Sequence, residues 1–165
     1  MSATLHLLCG KIAAGKSTLA AALGAAALTA VISEDDWLPR LYPGEITSLA
    51  EYVRYSARLR GAMEGHVATL LRAGLSVVLD FPANTVAQRA WMRGLIEAAG
   101  TAHVLHYLNV PDTLCLARLS ARNLARSHPY QVSAADFAAF TAHFVPPAPE
   151  EGFHVTQHVA EACGP

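Results

Sequence analysis

Gly10-Lys11-Ile12-Ala13-Ala14-Gly15-Lys16-Ser17, followed by Thr18, is the stretch on which the fold turns. It matches G-x-x-x-x-G-K-[S/T] at every fixed position. A loop of this kind wraps an anion with successive backbone N–H groups, and Gly10 and Gly15 allow backbone angles and a close approach that a Cβ would obstruct. A helix opening near Lys16 adds its unpaired N–H groups and its positive dipole end. Lys16 can reach the β- and γ-phosphates of a nucleoside triphosphate, and the Ser17 hydroxyl can ligate Mg2+. The candidate nucleotide-binding residues are therefore Gly10, Lys11, Ile12, Ala13, Ala14, Gly15, Lys16, Ser17 and Thr18. Composition sharpens the point. Of the 12 basic residues only two are lysines, Lys11 and Lys16, and both stand in this loop.

Working outward, Thr4-Leu5-His6-Leu7-Leu8-Cys9 is an apolar run that predicts a buried strand leading into the loop. Ser17 to Leu28 is alanine- and leucine-rich and predicts a helix. Ala30-Val31-Ile32 predicts a second strand, closed by the polar cluster Ser33-Glu34-Asp35-Asp36, and Tyr42-Pro43-Gly44 predicts a turn. A long helix is expected from about Ser48 to Ala73, with Leu49, Val53, Leu59, Met63, Val67 and Leu70 at helical spacing and Gly74 at its end. Leu75 to Asp80 predicts a third strand. Thr85 to Gln88 fits a capping box for a helix to about Ala99, ended by Gly100. His103 to Leu108 predicts a fourth strand, Asp112 caps a helix to about Ala125, and Ser133 to Asp136 opens another with Phe137, Phe140 and Phe144 behind it. After Pro146, Pro147 and Pro149 comes a last short strand, Phe153 to Thr156. Strands alternating with helices imply right-handed βαβ units and a parallel α/β sheet covered on both faces.

At 165 residues, 53% of them apolar and 15% charged, the chain is expected to form one domain, 1–165, and is too apolar for intrinsic disorder. No run of about 20 residues is free of charges and turn residues, so no membrane span is expected, and the chain reads as cytoplasmic. The net charge of −1 lacks the basic excess of a typical nucleic-acid binder, so a nucleic-acid partner is not expected. Cys9, Cys115 and Cys163 form neither a disulfide framework nor a zinc spacing, and the eight histidines lack metal-ligand spacing.

In open parallel sheets the reactive crevice lies beyond the carboxyl ends of the strands. Asp35 and Asp36 follow strand two and Asp80 ends strand three, so all three fall on the edge that carries the loop. A phosphoryl transferase needs one carboxylate to take or orient the proton of the acceptor hydroxyl, and another to anchor Mg2+. Asp35 suits the first role. Asp80, with Ser17, suits the second. Arg40 is placed to orient substrate or to sit exposed, Asn84 to contact substrate or to cap a helix, and Trp37 and Tyr42 to line a pocket or simply to pack. Arg118, Arg122 and Arg126 at i, i+4, i+8 share one helix face that runs into the polar stretch Asn123 to Val132, which contains His128-Pro129. Arg122 and Arg126 are candidates for meeting the charge that develops on a transferring phosphoryl group, delivered from a lid at about 123–133.

The loop, Ser33-Glu34-Asp35-Asp36-Trp37, Val77-Val78-Leu79-Asp80-Phe81-Pro82-Ala83-Asn84 and Ala117-Arg118-Leu119-Ser120-Ala121-Arg122-Asn123 come in an order that resembles a family of small P-loop predicted kinases. The layout is similar to the kinase domain of polynucleotide kinase, to chloramphenicol phosphotransferase and to the zeta toxins. The resemblance implies the P-loop NTPase three-layer fold, with a five-stranded parallel sheet in the order 2-3-1-4-5 and a short lid. It implies that Asp35 is the hydroxyl-activating aspartate, Asp80 the aspartate ending the third strand, and Arg122 the lid arginine that contacts ATP. Glu34 departs from polynucleotide kinase, which has a basic residue there. The expected function is an ATP- and Mg2+-dependent transfer of phosphate to a hydroxyl of a small molecule. The competing expectations are a polynucleotide or RNA-end kinase, and a non-kinase ATP-hydrolysing switch or binding module.

Overall fold

The computed structural model describes residues 2–126 and 131–160. β1 (Thr4–Cys9) is followed by α1 (Lys16–Gly24), β2 (Thr29–Ser33), α2 (Glu34–Leu41) and α3 (Leu49–Arg72). Then come β3 (Ser76–Pro82), α4 (Val86–Ala99), β4 (Ala102–Asn109), α5 (Asp112–Ala125) and α6 (Ala134–Thr141). A single 3-10 turn, Pro149–Glu151, precedes β5 (Val155–Val159). The strands form one five-stranded sheet in the order β2-β3-β1-β4-β5, and every pairing is parallel. Among the described residues no helix is long and apolar enough to cross a membrane.

Alternation along β1 assigns the two faces of the sheet. Leu5, Leu7 and Cys9 pack with Val77, Leu79 and Phe81 of β3 against Leu59, Met63 and Val67 of α3 and Met92, Leu95 and Ile96 of α4. Leu8 and Val78 point the other way, onto Ala20 of α1, while Leu108 meets Cys115 and Leu119 of α5 and Phe137 of α6. Both faces are covered, which is why the central strands carry almost unbroken apolar runs. The capping box of Thr85 and Gln88 and the left-handed Gly100 (φ 62°) bound α4 as the sequence predicts. A second box joins Ser133 and Asp136 at the start of α6.

The elements around the edge strand β2 depart from expectation. α1 ends at Gly24 rather than Leu28: Ala25 and Ala26 close turns onto the carbonyls of Ala22 and Leu23, and Leu28 stands exposed at φ 55° before β2 begins. The polar cluster that closes β2 leads straight into a helix, with Ser33 as its N-cap. Glu34, Asp35 and Asp36 are the first turn of α2, where carboxylates complement the positive end of the helix dipole. Leu49 and Val53 of α3 are exposed, and the buried stripe is Tyr55, Ser56, Leu59, Met63, Val67 and Leu71. Pro111 caps α5 and Asp112 is its first residue, so Asp112 is not the cap.

His6, His106 and His158 line up across β1, β4 and β5, with ring nitrogens 3.1 Å and 3.0 Å apart. A neutral His106 fits the middle of such a row, donating from one ring nitrogen and accepting at the other. Burial and the two flanking rings push the pKa of His106 down to about 4. The unfolded chain therefore binds a proton near pH 6.5 that the folded chain refuses until about pH 4, and the stability held above that window drains away as pH falls through it. His106→Gln is expected to flatten the loss of melting temperature between pH 7 and pH 5. An unchanged slope in calorimetric scans would show that other groups set the acid sensitivity.

Candidate active site

The loop leaves β1 through a position that is tight even for a Cβ. A Cβ on Gly10 would lie 3.1 Å from Leu108 Cβ and 3.3 Å from the Leu108 carbonyl oxygen. The Gly10 N–H donates to Asn84 Oδ1 at 2.9 Å. Ala13 (φ 62°) and Gly15 (φ 108°) take left-handed conformations that curl the loop, and the Ala14 N–H closes the curl on the Lys11 carbonyl at 3.1 Å. An alanine in that region is uncommon and strained, a feature that clusters at ligand-binding turns. Lys16 folds back over the ring and donates from Nζ to the carbonyls of Gly10 (2.6 Å) and Lys11 (2.9 Å). Burial lowers its pKa, opposed mainly by the charge of Asp80.

The other loop lysine is engaged elsewhere. Lys11 Nζ lies 2.5 Å from Asp112 Oδ1 at the start of α5 and 5.3 Å from the centre of the Phe144 ring. Ile12, Ala13 and Ala14 pack on the α5–α6 side, and Arg118 Nη1 donates to the Ala14 carbonyl at 3.2 Å. Ser17 and Thr18 open α1 exposed to solvent.

Three oxygen groups meet beside Lys16. Asp80 Oδ2 accepts from Ser17 Oγ at 2.9 Å and from Ser33 Oγ at 3.4 Å. β2 and β3 are in register at Ser33 and Asp80, which delivers both side chains to one spot. Hard oxygen ligands of this kind suit Mg2+, which is typically held by one or two carboxylates together with substrate phosphates and water, not by an all-protein cage. Burial raises the Asp80 pKa, against the Ser17 hydrogen bond and the charge of Lys16.

Asp35 sits half-buried in the first turn of α2, and its charge bears on Lys16, Asp80, Tyr52 and Arg122. Its neighbour Glu34 turns inward, accepts from the Tyr52 hydroxyl at 2.5 Å, and is 1% exposed. Burial holds the Glu34 pKa above the ordinary carboxylate value, against Tyr52, Ser56 and the charge of Arg60. Arg122 is half-buried, and its Nε has no hydrogen-bond partner among the described residues. The arginine stripe ends there. Arg126 is the left-handed cap of α5 (φ 48°) and exposed, so it leaves the face shared by Arg118 and Arg122. The expected lid at 123–133 falls partly on 127–130, with His128-Pro129, which lie outside the described residues, as does Cys163. Beside that gap Asn123 Nδ2 donates to the Val132 carbonyl at 2.6 Å.

Trp37 follows Asp35 by two residues, about 200° around a helix of 3.6 residues per turn, and so lies on the opposite flank of α2 from it. Tyr42 packs on Tyr55 with ring centres 4.0 Å apart, and Arg40 is exposed. Asn84 does not cap α4, a task Thr85 performs; its Oδ1 is bonded to Gly10. The sequence reading missed Ser33, the Glu34–Tyr52 pair and Arg89. Arg89 did carry a signal, as a charged residue in the stripe Arg89, Met92 and Ile96 that α4 buries.

A family model described as AAA domain matches residues 5–147. No curated protein matches the chain. Similar solved structures include a provisionally assigned kinase of Chloroflexus aurantiacus, 22% identical over 96% of this chain and 85% of that one, with a TM-score of 0.74. Kti12 of Chaetomium thermophilum in complex with ADP-AlF3 is 17% identical over 94% of this chain and 88% of that one, with a TM-score of 0.68. The Mycobacterium tuberculosis APS kinase CysC in complex with AMPPNP and APS is 17% identical over 98% and 90%, with a TM-score of 0.65. At these identities the likeness concerns the fold, a P-loop kinase-like sheet.

Asp80→Asn tests the oxygen cluster. The folded pKa of Asp80 lies above its ordinary value of 3.8, so its contribution to stability is fullest at low pH and declines as pH rises through the folded value. The asparagine variant is expected to be more stable than wild type at pH 7 in urea titrations, with the gain shrinking toward pH 4, and to lose Mg2+-dependent nucleotide binding by calorimetry. A variant less stable at pH 7 would show that the serine bonds outweigh the burial of charge.

Proposed function

The chain belongs to the AAA-domain family, and we propose that it is an ATP- and Mg2+-dependent phosphotransferase that moves the γ-phosphate of ATP to a hydroxyl of a small molecule. One observation carries this reading. Asp35 stands half-buried in the first turn of α2, where its charge bears at once on Lys16, Asp80 and Arg122. Binding or hydrolysing a nucleotide calls for Lys16, Ser17 and Asp80. A further carboxylate facing them is what an acceptor hydroxyl requires.

In this reading the amides of residues 13–18 hold the triphosphate and Lys16 exchanges its two carbonyl partners for phosphate oxygens. Ser17 and Asp80 would hold Mg2+ directly or through water. Bound there, Mg2+ supplies charge neutralisation at the phosphate oxygens. Asp35 takes the proton of the acceptor hydroxyl as its oxygen forms the new P–O bond; the bond to the β-phosphate oxygen breaks, and ADP leaves with that electron pair. Arg122 meets the charge that builds on the transferring group. Arg126 acts with it only if the lid carries it inward from its exposed position at the end of α5.

Asp35, half-buried, and Asp36, exposed, in the first turn of α2 set negative charge beside the proposed acceptor position and disfavour a polyanionic acceptor, which supports a small molecule over a polynucleotide. Two of the similar structures, Kti12 and the APS kinase, hold nucleotides, in keeping with ATP in this loop.

A panel of hydroxyl acceptors with labelled ATP tests the proposal. Lys16→Ala is expected to impair both nucleotide binding and turnover. Asp35→Ala is expected to keep nucleotide binding while transfer falls by about 10²–10⁴-fold, the usual range for a lost general base. Transfer by Asp35→Ala equal to wild type removes Asp35 from the mechanism. Nucleotide binding with no acceptor labelled points to a switch or binding module.

A further inference from the structure

α6 and the residues after it touch both walls of the crevice. Phe137 packs with Ala14 of the loop and Leu119 of α5. One turn on, the Phe140 ring stands edge-on to Tyr52 of α3, with centres 6.3 Å apart, and Tyr52 in turn holds Glu34 of α2. Phe144 then stacks on Tyr107 of β4 at 6.3 Å, beneath Lys11. The segment thus runs as a cover from the phosphate loop to the helices that present Asp35.

The inner end of this cover is tied to the loop through two residues. Val145 N–H donates to the Asn84 carbonyl at 2.8 Å, while the Asn84 side chain accepts the Gly10 N–H at 2.9 Å. Beside it Arg89, fully buried, places all its N–H groups. Nε and Nη2 reach the Glu151 carboxylate at 2.6 and 2.9 Å, Nη1 reaches the carbonyls of Ala83 (3.0 Å) and Val145 (2.8 Å), and Nη2 reaches that of Pro146 (3.3 Å). A guanidinium with its five donors in a rigid fork can hold such a set, and an ammonium cannot. A buried arginine in the midst of an apolar stripe is a costly way to gain stability alone, since apolar replacements of buried ion pairs are often neutral or better.

We infer that Asn84 and Arg89 are positioning residues that lock the α6 cover to the phosphate loop, and that this lock directs the γ-phosphate to the acceptor and away from water. The inference rests on the phosphotransferase reading. With the cover loosened, water takes the acceptor's place: its oxygen forms the P–O bond, the same bond to ADP breaks, and its proton passes to solvent, giving phosphate and ADP. Excluding water from such a site is a recognised function of covers and lids.

The test uses the full chain with Mg2+ and ATP and no acceptor. Arg89→Lys keeps the charge but loses the fork; Asn84→Ala cuts the tie to Gly10 and leaves the Arg89 cluster in place, so it decides the matter should the first variant fail to fold. Both are expected to release ADP about tenfold faster than wild type. Binding of AMPPNP by Arg89→Lys, which leaves the phosphate loop untouched, should stay close to wild type by calorimetry, and in both variants amide exchange should quicken over 134–145 but not over α1. Unchanged ADP release, or faster exchange without faster release, overturns the positioning role. Neither readout needs an acceptor, so failure here is separate from failure of the acceptor panel, which alone bears on the phosphotransferase reading.

Discussion

A lysine ammonium drawn off from solvent and held by two backbone carbonyls is the constraint around which this crevice is built. Lys16 lies within hydrogen-bond reach of the Gly10 and Lys11 carbonyls, and those bonds turn the carbonyls toward the cation. Ala13 and Gly15, in left-handed conformations, shape the curl around it. Carbonyl dipoles only partly offset the removal of an ammonium from water, and the lowered pKa records the remainder. Phosphate oxygens are better partners for that ammonium than carbonyls are.

The same tension recurs around the crevice. Burial raises the pKa of Asp80 and Glu34 and lowers that of Lys16, so three groups are each biased toward their neutral forms. Such groups weaken a fold when taken alone. The fold bears them because the strands beneath are almost wholly apolar: Leu5, Leu7, Leu79 and Leu105 are fully buried. By contrast, burial moves the Cys9 thiol up to about 11, which makes it a packing residue and not a reactive one.

Much of this was legible in the sequence, and what was not has physical causes. The loop, the sheet edge that carries Asp80, the capping box at Thr85 and the end of α4 at Gly100 depend on residues within a few positions of one another, where pattern speaks directly. α2 was hidden because Asp35, Asp36 and Pro39 have low helix propensity, although carboxylates are favoured in a first turn. Pro39 stands inside the helix, where it cannot donate to the carbonyl of Asp35 and its ring crowds that carbonyl. The exposure of Leu49 and Val53 follows from where α2 packs on α3, a tertiary fact that an apolar period cannot carry. Arg89 meets Glu151 across 62 residues, and Gly10 meets Asn84 across 74. No local pattern pairs such residues; only the parallel sheet brings them together.

Glu34 and Asp35 show how a single residue step divides structure from chemistry. Successive positions on a helix are rotated by about 100°. α2 buries the face that carries Glu34 and Leu38, so Glu34 is drawn under the helix to Tyr52, and Asp35 is left at the margin of that face. There it is shielded enough to act on Lys16, Asp80 and Arg122 yet stays within reach of the crevice. A helix start displaced by one residue would bury the other carboxylate and send Asp35 toward Tyr52. Ser33, in register with Asp80, is both the last residue of β2 and the N-cap of α2, so strand and helix follow without a loop between them. Ser33 thus stands at a junction: its hydroxyl reaches Asp80 in the oxygen cluster, and its backbone opens the helix that carries Asp35.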